Sequence, residues 1–268
     1  MKIFRRSNLG IPLFTGYLGG FLYITFVLFP IIALLVKAVG VDDFLPTLSS
    51  KIALDALRLS LFSSAISMII VILVGTPFSY FLARSRLPAI RIVDIFVELP
   101  LVLPPVVAGL AMLMVFGRYG LLGRWLEPFG IVIPFTLVSV IFAQVFVAAP
   151  FYIRAARLGF QMVKVEYEEL SQTLGVGPLQ TFWKITIPLA WPSLLGGIAL
   201  AWARAISEFG ATIMFAGNFP GRTQTMPLAI LSALESDLSV AIIMAGMLIF
   251  VSFLLLTILG FLRIKSGD

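Results

Sequence analysis

Charged residues interrupt this chain more than they pattern it. Uncharged stretches cover positions 7–36, 59–83, 99–117, 128–153, 185–203 and 238–262. A further uncharged run, 209–221, follows the fifth stretch after Arg204 and Glu208. A helix that crosses about 30 Å of hydrocarbon needs about 20 mostly apolar residues. The pattern therefore predicts an all-α integral membrane protein with six transmembrane helices in one domain. The approximate spans are 12–36, 57–83, 92–117, 129–153, 187–216 and 238–262, with one long inside loop over 154–184. The first run is too long for a cleavable signal core of about 7–15 residues, so it reads as an uncleaved helix. No linker or soluble appendage is expected.

Composition strengthens this reading. The 268 residues are 60% hydrophobic and 12% charged, with a mean hydropathy of +1.08. Soluble domains carry about 25% charged residues. A soluble globular domain, a disordered chain and a coiled coil are excluded. There is no Cys and no His, which removes thiol nucleophiles, disulfides, imidazole bases and His/Cys zinc sites. No Lys follows a Gly, so the phosphate-cradling G-x-x-x-x-G-K-[ST] loop is absent.

The net charge of +6 reflects topology, because the basic residues flank spans and form no soluble patch for nucleic acid. With the N-terminus inside, the inside segments hold 12 basic residues: Lys2, Arg5, Arg6, Arg84, Arg86, Arg91, Arg154, Arg157, Lys164, Lys184, Arg263 and Lys265. The outside segments hold 6: Lys37, Lys51, Arg58, Arg118, Arg124 and Arg222. This bias predicts cytoplasmic termini.

The inside loop reads as helix, turn, helix. Glu166, Glu168 and Glu169 lie in the first turn of the helix predicted at 165–174, where they complement its dipole. Leu170 and Leu174 form an i,i+4 apolar pair. Gly175 is placed to cap the helix in a left-handed conformation. Gly177-Pro178 starts a short second helix bearing Leu179, Phe182 and Trp183, and Pro188 follows at the membrane boundary. By pattern alone this is either an amphipathic surface loop or a docking knob.

Two places inside the spans are irregular. Pro100, Pro104 and Pro105 cannot all continue a regular helix. Their break is either a packing kink or a pathway element. Asp94 and Glu98 precede it, as interfacial or paired groups. Arg204 and Glu208 lie four residues apart within a span, where charges are costly and usually paired. They read as a structural pair or as part of a pathway. Backbone N–H groups near Pro104-Pro105, together with Ser207 and Thr212, are candidate weak donors to an anion.

The run Glu169-Leu170-Ser171, with Gly175 six residues after the glutamate and then Ile185-Thr186-Ile187-Pro188, resembles the EAA loop of ABC importer permeases, E-A-A-x3-G-x9-I-x-L-P. Leu170 stands where the pattern has its first Ala, and Ile187 where it has Leu. The segment Ala203-Arg204-Ala205-Ile206-Ser207-Glu208-Phe209-Gly210-Ala211-Thr212, continued to Asn218, resembles molybdate/tungstate permeases, with Ile206 and Ser207 in place of Leu and Gly. Residues 98–109 and 225–230 are similar to the same family.

The resemblance implies a type I ABC importer permease fold and a non-enzymatic transport subunit in the cell (inner) membrane. The implied partners are two ATPase subunits that bind ATP and Mg, a second permease copy, an external oxyanion-binding protein and membrane lipid. Neither nucleic acid nor a cofactor of its own is implied. The implied cargo is molybdate or tungstate, with sulfate or thiosulfate as the alternative. The implied coupling residues are Glu168, Glu169, Leu170, Ser171, Gly175, Gly177, Ile185 and Pro188. Pathway or gate candidates are Pro100, Pro104, Pro105, Arg204, Ser207, Glu208, Gly210 and Thr212. A membrane-bound enzyme or a stand-alone ion-coupled carrier are the readings of other classes. The first lacks a carboxylate cluster free for metal, and the second needs no docking loop.

Overall fold

The computed structural model describes residues 10–265 and the side chains of 15–262. Lys2, Arg5 and Arg6, and the side chains of Arg263 and Lys265, lie outside the described residues. Every regular element among the described residues is helical. In chain order these are α1 (Gly10–Val39), α2 (Phe44–Leu48), α3 (Lys51–Arg84), α4 (Ile90–Val102), α5 (Pro105–Phe116) and α6 (Gly123–Leu126). Then follow α7 (Leu137–Met162), α8 (Val165–Thr173), α9 (Pro178–Thr181), α10 (Ile187–Ile206), α11 (Gly210–Ala216), α12 (Met226–Ser236) and α13 (Leu238–Lys265). Five helical stretches are long and apolar enough to cross a membrane, and α4 with α5 makes a sixth if that bent pair counts as one span.

The helices depart from the charge-free runs in five places, each for a local reason. α3 begins at Lys51, ahead of its run, where Ser50 Oγ accepts from Ala53 N–H. α4 and α5 are bent by 113°. Leu103 and Pro104, each followed by a proline, take extended ψ values of 130° and 131°, and Pro105 opens α5, where a missing N–H costs nothing. Pro100 sits inside α4 without ending it. α7 begins only at Leu137, because Pro128, Gly130 and Pro134 belong to a folded loop, and it runs on to Met162 through Arg154 and Arg157. Arg157 can stay on the helix because it pairs with Asp94 of α4. The inside loop is accordingly shorter than 154–184.

The fifth span starts earlier than expected. α9, a π-helical turn at Phe182–Thr186 and α10 form one apolar stretch, Pro178–Ile206. The turn precedes Pro188, which lacks an N–H and crowds the carbonyl four residues back. A wider turn relieves that clash without ending the helix. The run 209–221 is not a continuation of this span. It forms α11 after a break at Ser207–Phe209 and then turns into α12.

α7 is the central helix. Small residues bring its neighbours close, as membrane packing favours. A Cβ on Gly159 would lie 2.5 Å from Ser193 Cβ of α10, and one on Gly197 would lie 2.9 Å from Ala155 Cβ. On the α3 side, Ser67 donates to Gln144 Oε1 at 2.9 Å, and Thr76 and Tyr152 share a hydrogen bond of 2.5 Å. Tyr152 and Phe160 are fully buried in this seam. α5 packs on α11, where Gly109 lets the Ala211 carbonyl approach. α12 packs against α3 and α13, and Met226 N–H donates to Ser60 Oγ at 2.7 Å.

Candidate functional site

α8 is fixed to the bundle by one carboxylate. Glu168 enters the first turn of α8, and its side chain is only 8% exposed. Its Oε1 accepts from Arg84 Nη2 at 2.8 Å and from Thr186 Oγ1 at 2.8 Å. Its Oε2 accepts from Arg84 Nε at 3.1 Å and from Tyr80 OH at 3.3 Å. Burial alone would raise the Glu168 pKa. The hydrogen bonds and charge of Arg84, with those from Thr186 and Tyr80, outweigh burial and hold it below the ordinary carboxylate range.

Arg84 does more than neutralise Glu168. Its Nη1 donates to Phe160 O at 2.9 Å and its Nη2 to Val163 O at 3.0 Å, at the C-terminal end of α7. A guanidinium there adds donors to the last carbonyls of the helix, one of which, Phe160 O, also accepts from Val163 N–H at 3.2 Å, and it complements the helix dipole. Tyr80, Phe160 and Phe182 stack edge-on around the pin, with Tyr80–Phe182 centroids 4.9 Å apart. One ion pair therefore joins α3, α7, α8 and the π turn before α10.

The far end of α8 is equally defined. Gly175 adopts φ +83°. Its N–H donates to Gln172 O at 2.9 Å, and Val176 N–H donates to Ser171 O at 3.1 Å. This double bond pattern is a Schellman cap. Ser171, which stands where the EAA pattern has its second Ala, is buried and bonds Thr181 at 2.9 Å. Gly177 opens α9 with space around it. Ile185 lies in the π turn, half-buried, and Pro188 is exposed just beyond.

Sequence reasoning put weight on Glu169, yet its neighbour Glu168 is the buried anchor, while Glu169 is exposed. Arg84, Tyr80, Thr181 and Thr186 were missed. Arg84 carried a signal only as one more inside charge. α8 exposes a mixed face, with Glu166, Glu169, Gln172 and Thr173 beside Tyr167 and Leu170, and the turn and α9 after it expose Leu174 at 76% and Leu179 at 72%. Tyr167, Leu170, Leu174, Val176, Ile185 and Leu189 line an open groove of about 460 Å³.

The second group of candidates meets at the break between α10 and α11. Glu208 is enclosed, with a side chain 0% exposed, and Arg204 Nη2 lies 2.6 Å from its Oε2. Its Oε1 accepts from Ala211 N–H at 2.7 Å, so it also caps the start of α11. Gly210 sits against Pro105 and Val106 at the start of α5, where a Cβ would come within 2.9 Å of Pro105 Cβ. Pro104, Pro105, Glu208 and Gly210 thus come together, whereas Pro100 stays within α4. Thr212 is buried, and its Oγ1 has no hydrogen-bond partner among the described residues. Ser207 is exposed, but its hydroxyl proton goes to Ala203 O at 2.9 Å within its own helix. Asp94 is paired with Arg157, and Glu98 is exposed on α4.

Comparisons with known proteins agree with this architecture. The family described as binding-protein-dependent transport system inner membrane component matches residues 75–263. The chain is 37% identical over 244 residues to the molybdenum transport system permease protein ModB of Mycobacterium tuberculosis, covering 91% of this chain and 92% of that protein. It is 38% identical over 183 residues to Escherichia coli K12 ModB, covering 68% and 80%. It is 33% identical over 237 residues to the sulfate transport system permease protein CysT of Synechocystis, covering 87% and 83%. Among solved structures, a bacterial ABC transporter involved in the import of the acidic polysaccharide alginate shares the fold, with a TM-score of 0.72 at 16% identity over 95% of this chain and 94% of that one. Matched from within α3 to the last helix, the chain belongs to the inner membrane components of binding-protein-dependent transport systems.

Proposed function

We propose that this chain forms the membrane pathway of an ATP-driven oxyanion importer, with molybdate or tungstate as cargo. Two copies work with two ATPase subunits, which bind ATP and Mg, and with an external binding protein that delivers the anion. The observation that carries the coupling role is α8 itself. It is tied to α3, α7 and the turn before α10 through Glu168 and Arg84, while Leu170, with Leu174 in the turn and Leu179 of α9, is exposed among polar neighbours. A short helix held to the bundle in this way transmits a push from a soluble partner. The cargo rests on relatives: two named for molybdenum transport are 37–38% identical, and the sulfate relative is 33% identical.

Vesicles that contain the permease, its ATPase and its binding protein are expected to take up molybdate or tungstate only when ATP is present on the ATPase side. Preferential sulfate uptake would replace the cargo and leave the permease role standing. Uptake without the ATPase subunit would overturn both.

The turn at Gly175 offers a second test. Its Cβ position is open, so substitution acts through the backbone alone. Valine at φ +83° costs about 1–3 kcal/mol of local strain. Gly175→Val is expected to reduce stimulation of the ATPase by loaded binding protein at least tenfold, whereas Gly175→Asn, which tolerates this region, retains most of it. Equal stimulation in both variants would argue against a docking role.

Orientation is tested by labelling, because the chain has no native Cys. Gln172 and Arg222 are exposed and lie on either side of the bundle's apolar stretches, so each can carry a single cysteine. Gln172→Cys is expected to label from the cytoplasmic side and Arg222→Cys from the other.

A further inference from the structure

The segment between α5 and α7 contains a short repeat, Gly117-Arg118-Tyr119 and Gly123-Arg124-Trp125. In both copies the arginine lies over the ring beside it. The Arg118 Cζ is 6.0 Å from the Tyr119 centroid, and the Arg124 Cζ is 5.4 Å from the Trp125 centroid. The segment is a folded unit. Leu121 and Leu122 donate back to Met114 O and Val115 O at 3.2 and 2.8 Å. A Cβ on Gly123 would fall 1.8 Å from Gly117 O, so the fold back onto α5 requires glycine there.

The outer surface of this unit is apolar and aromatic. Tyr119 is 90% exposed, Phe129 79% and Trp125 66%. Arg118 is paired with Glu127, while Arg124 makes no ion pair among the described residues. An aqueous loop would not leave so many large apolar side chains uncovered. Depth along α7 explains them. The 26 residues of α7 span about 39 Å, and the bilayer with its headgroups is about 40–45 Å thick. With α8 at one membrane surface, the unit before α7 lies in the headgroup layer of the other. Trp and Tyr favour that layer, and an arginine stacked on an indole can present its outer edge to phosphate.

We propose that residues 117–135 form an interfacial anchor that binds phospholipid headgroups, with Arg124 as the phosphate ligand and Trp125, Tyr119 and Phe129 seated among the headgroups. The uncovered aromatic side chains, set at the end of α7 opposite α8, are why a lipid surface is the occupant. The anchor holds the outer end of α5, the helix that packs on α11.

The test uses the full chain in nanodiscs, with a fluorophore on Phe129→Cys and, as an aqueous control, on Gln172→Cys. Lipids spin-labelled at the headgroup are expected to quench the Phe129 label several-fold more than a water-soluble quencher does, with the reverse at Gln172. Replacing Arg124 with Gln is expected to weaken the apparent affinity for an anionic short-chain phospholipid about fivefold, equivalent to ~1 kcal/mol. Quenching of the Phe129 label by the soluble reagent to the same degree as at Gln172 would overturn the anchor. So would shielding of the Phe129 label only after the external binding protein is added, which would make the unit a protein-docking surface. Unchanged lipid affinity in Arg124→Gln would remove Arg124 as the phosphate ligand, and Arg118→Gln serves as the matched control.

Discussion

Arg84→Ala is expected to destabilise the protein by about 3 kcal/mol and to abolish stimulated ATP hydrolysis by the assembled complex. The magnitude follows from removing one partner of a buried pair, which leaves the other charge uncompensated. The Glu168 carboxylate, 8% exposed, would keep only Thr186 and Tyr80. The carbonyls of Phe160 and Val163 would lose the guanidinium as well, although Phe160 O keeps the Val163 N–H. Arg84→Lys should recover little, because a single ammonium cannot reach both carboxylate oxygens and two carbonyls from one fixed plane. Unfolding midpoints measured in lipid nanodiscs check the first part, and ATPase assays with loaded binding protein check the second. If Arg84→Ala left both unchanged, α8 would not depend on this pair. The same pair sets an acid limit. Because the Glu168 pKa is held below the ordinary carboxylate range, its contribution is complete at neutral pH and is lost as pH falls through that lowered value. Glu168→Gln should flatten that part of the stability profile.

Glu208→Ala is the second large effect, expected at about 3 kcal/mol or more. It leaves Arg204 without its carboxylate inside a span and leaves the Ala211 N–H without its acceptor. Glu208→Gln separates the two losses, since an amide oxygen can still cap α11. The double variant Arg204→Met with Glu208→Leu distinguishes structure from transport. Exchanging a whole buried pair for apolar side chains is often neutral or stabilising. A stable double variant that still imports anion would make the pair purely structural. A stable double variant that has lost import would place the pair in the pathway.

Much of this molecule is legible from charge-free length alone, because a helix in hydrocarbon has few alternatives. α1 and α13 fall close to their runs for that reason. Boundaries moved where a charge found a partner, where a proline found a compensating turn, or where a cap extended the helix past its charges, as Ser50 does for α3. Arg157 did not end α7, because Asp94 sits opposite it. Pro188 did not end its helix, because a π turn precedes it. α12 was invisible as a separate element, being too short to register as a span. At the site, spacing marked the loop and its Gly175 turn. It could not tell Glu168 from Glu169, since burial depends on which side of α8 meets Arg84, and Arg84 lies more than eighty positions away in sequence.

The π turn at Phe182–Thr186 has a consequence for inheritance of length. A π turn is one residue wider than the α turn it replaces, and each residue of an α-helix advances it by about 100°. Deleting one residue from this turn would restore a regular helix and rotate everything beyond it by that angle. Gly197 would swing away from Ala155, and Arg204 would leave the side on which it now meets the bundle. The segment should therefore accept changes of residue identity far more readily than a change of residue number, and relatives that keep this packing should keep the count between Thr181 and Pro188.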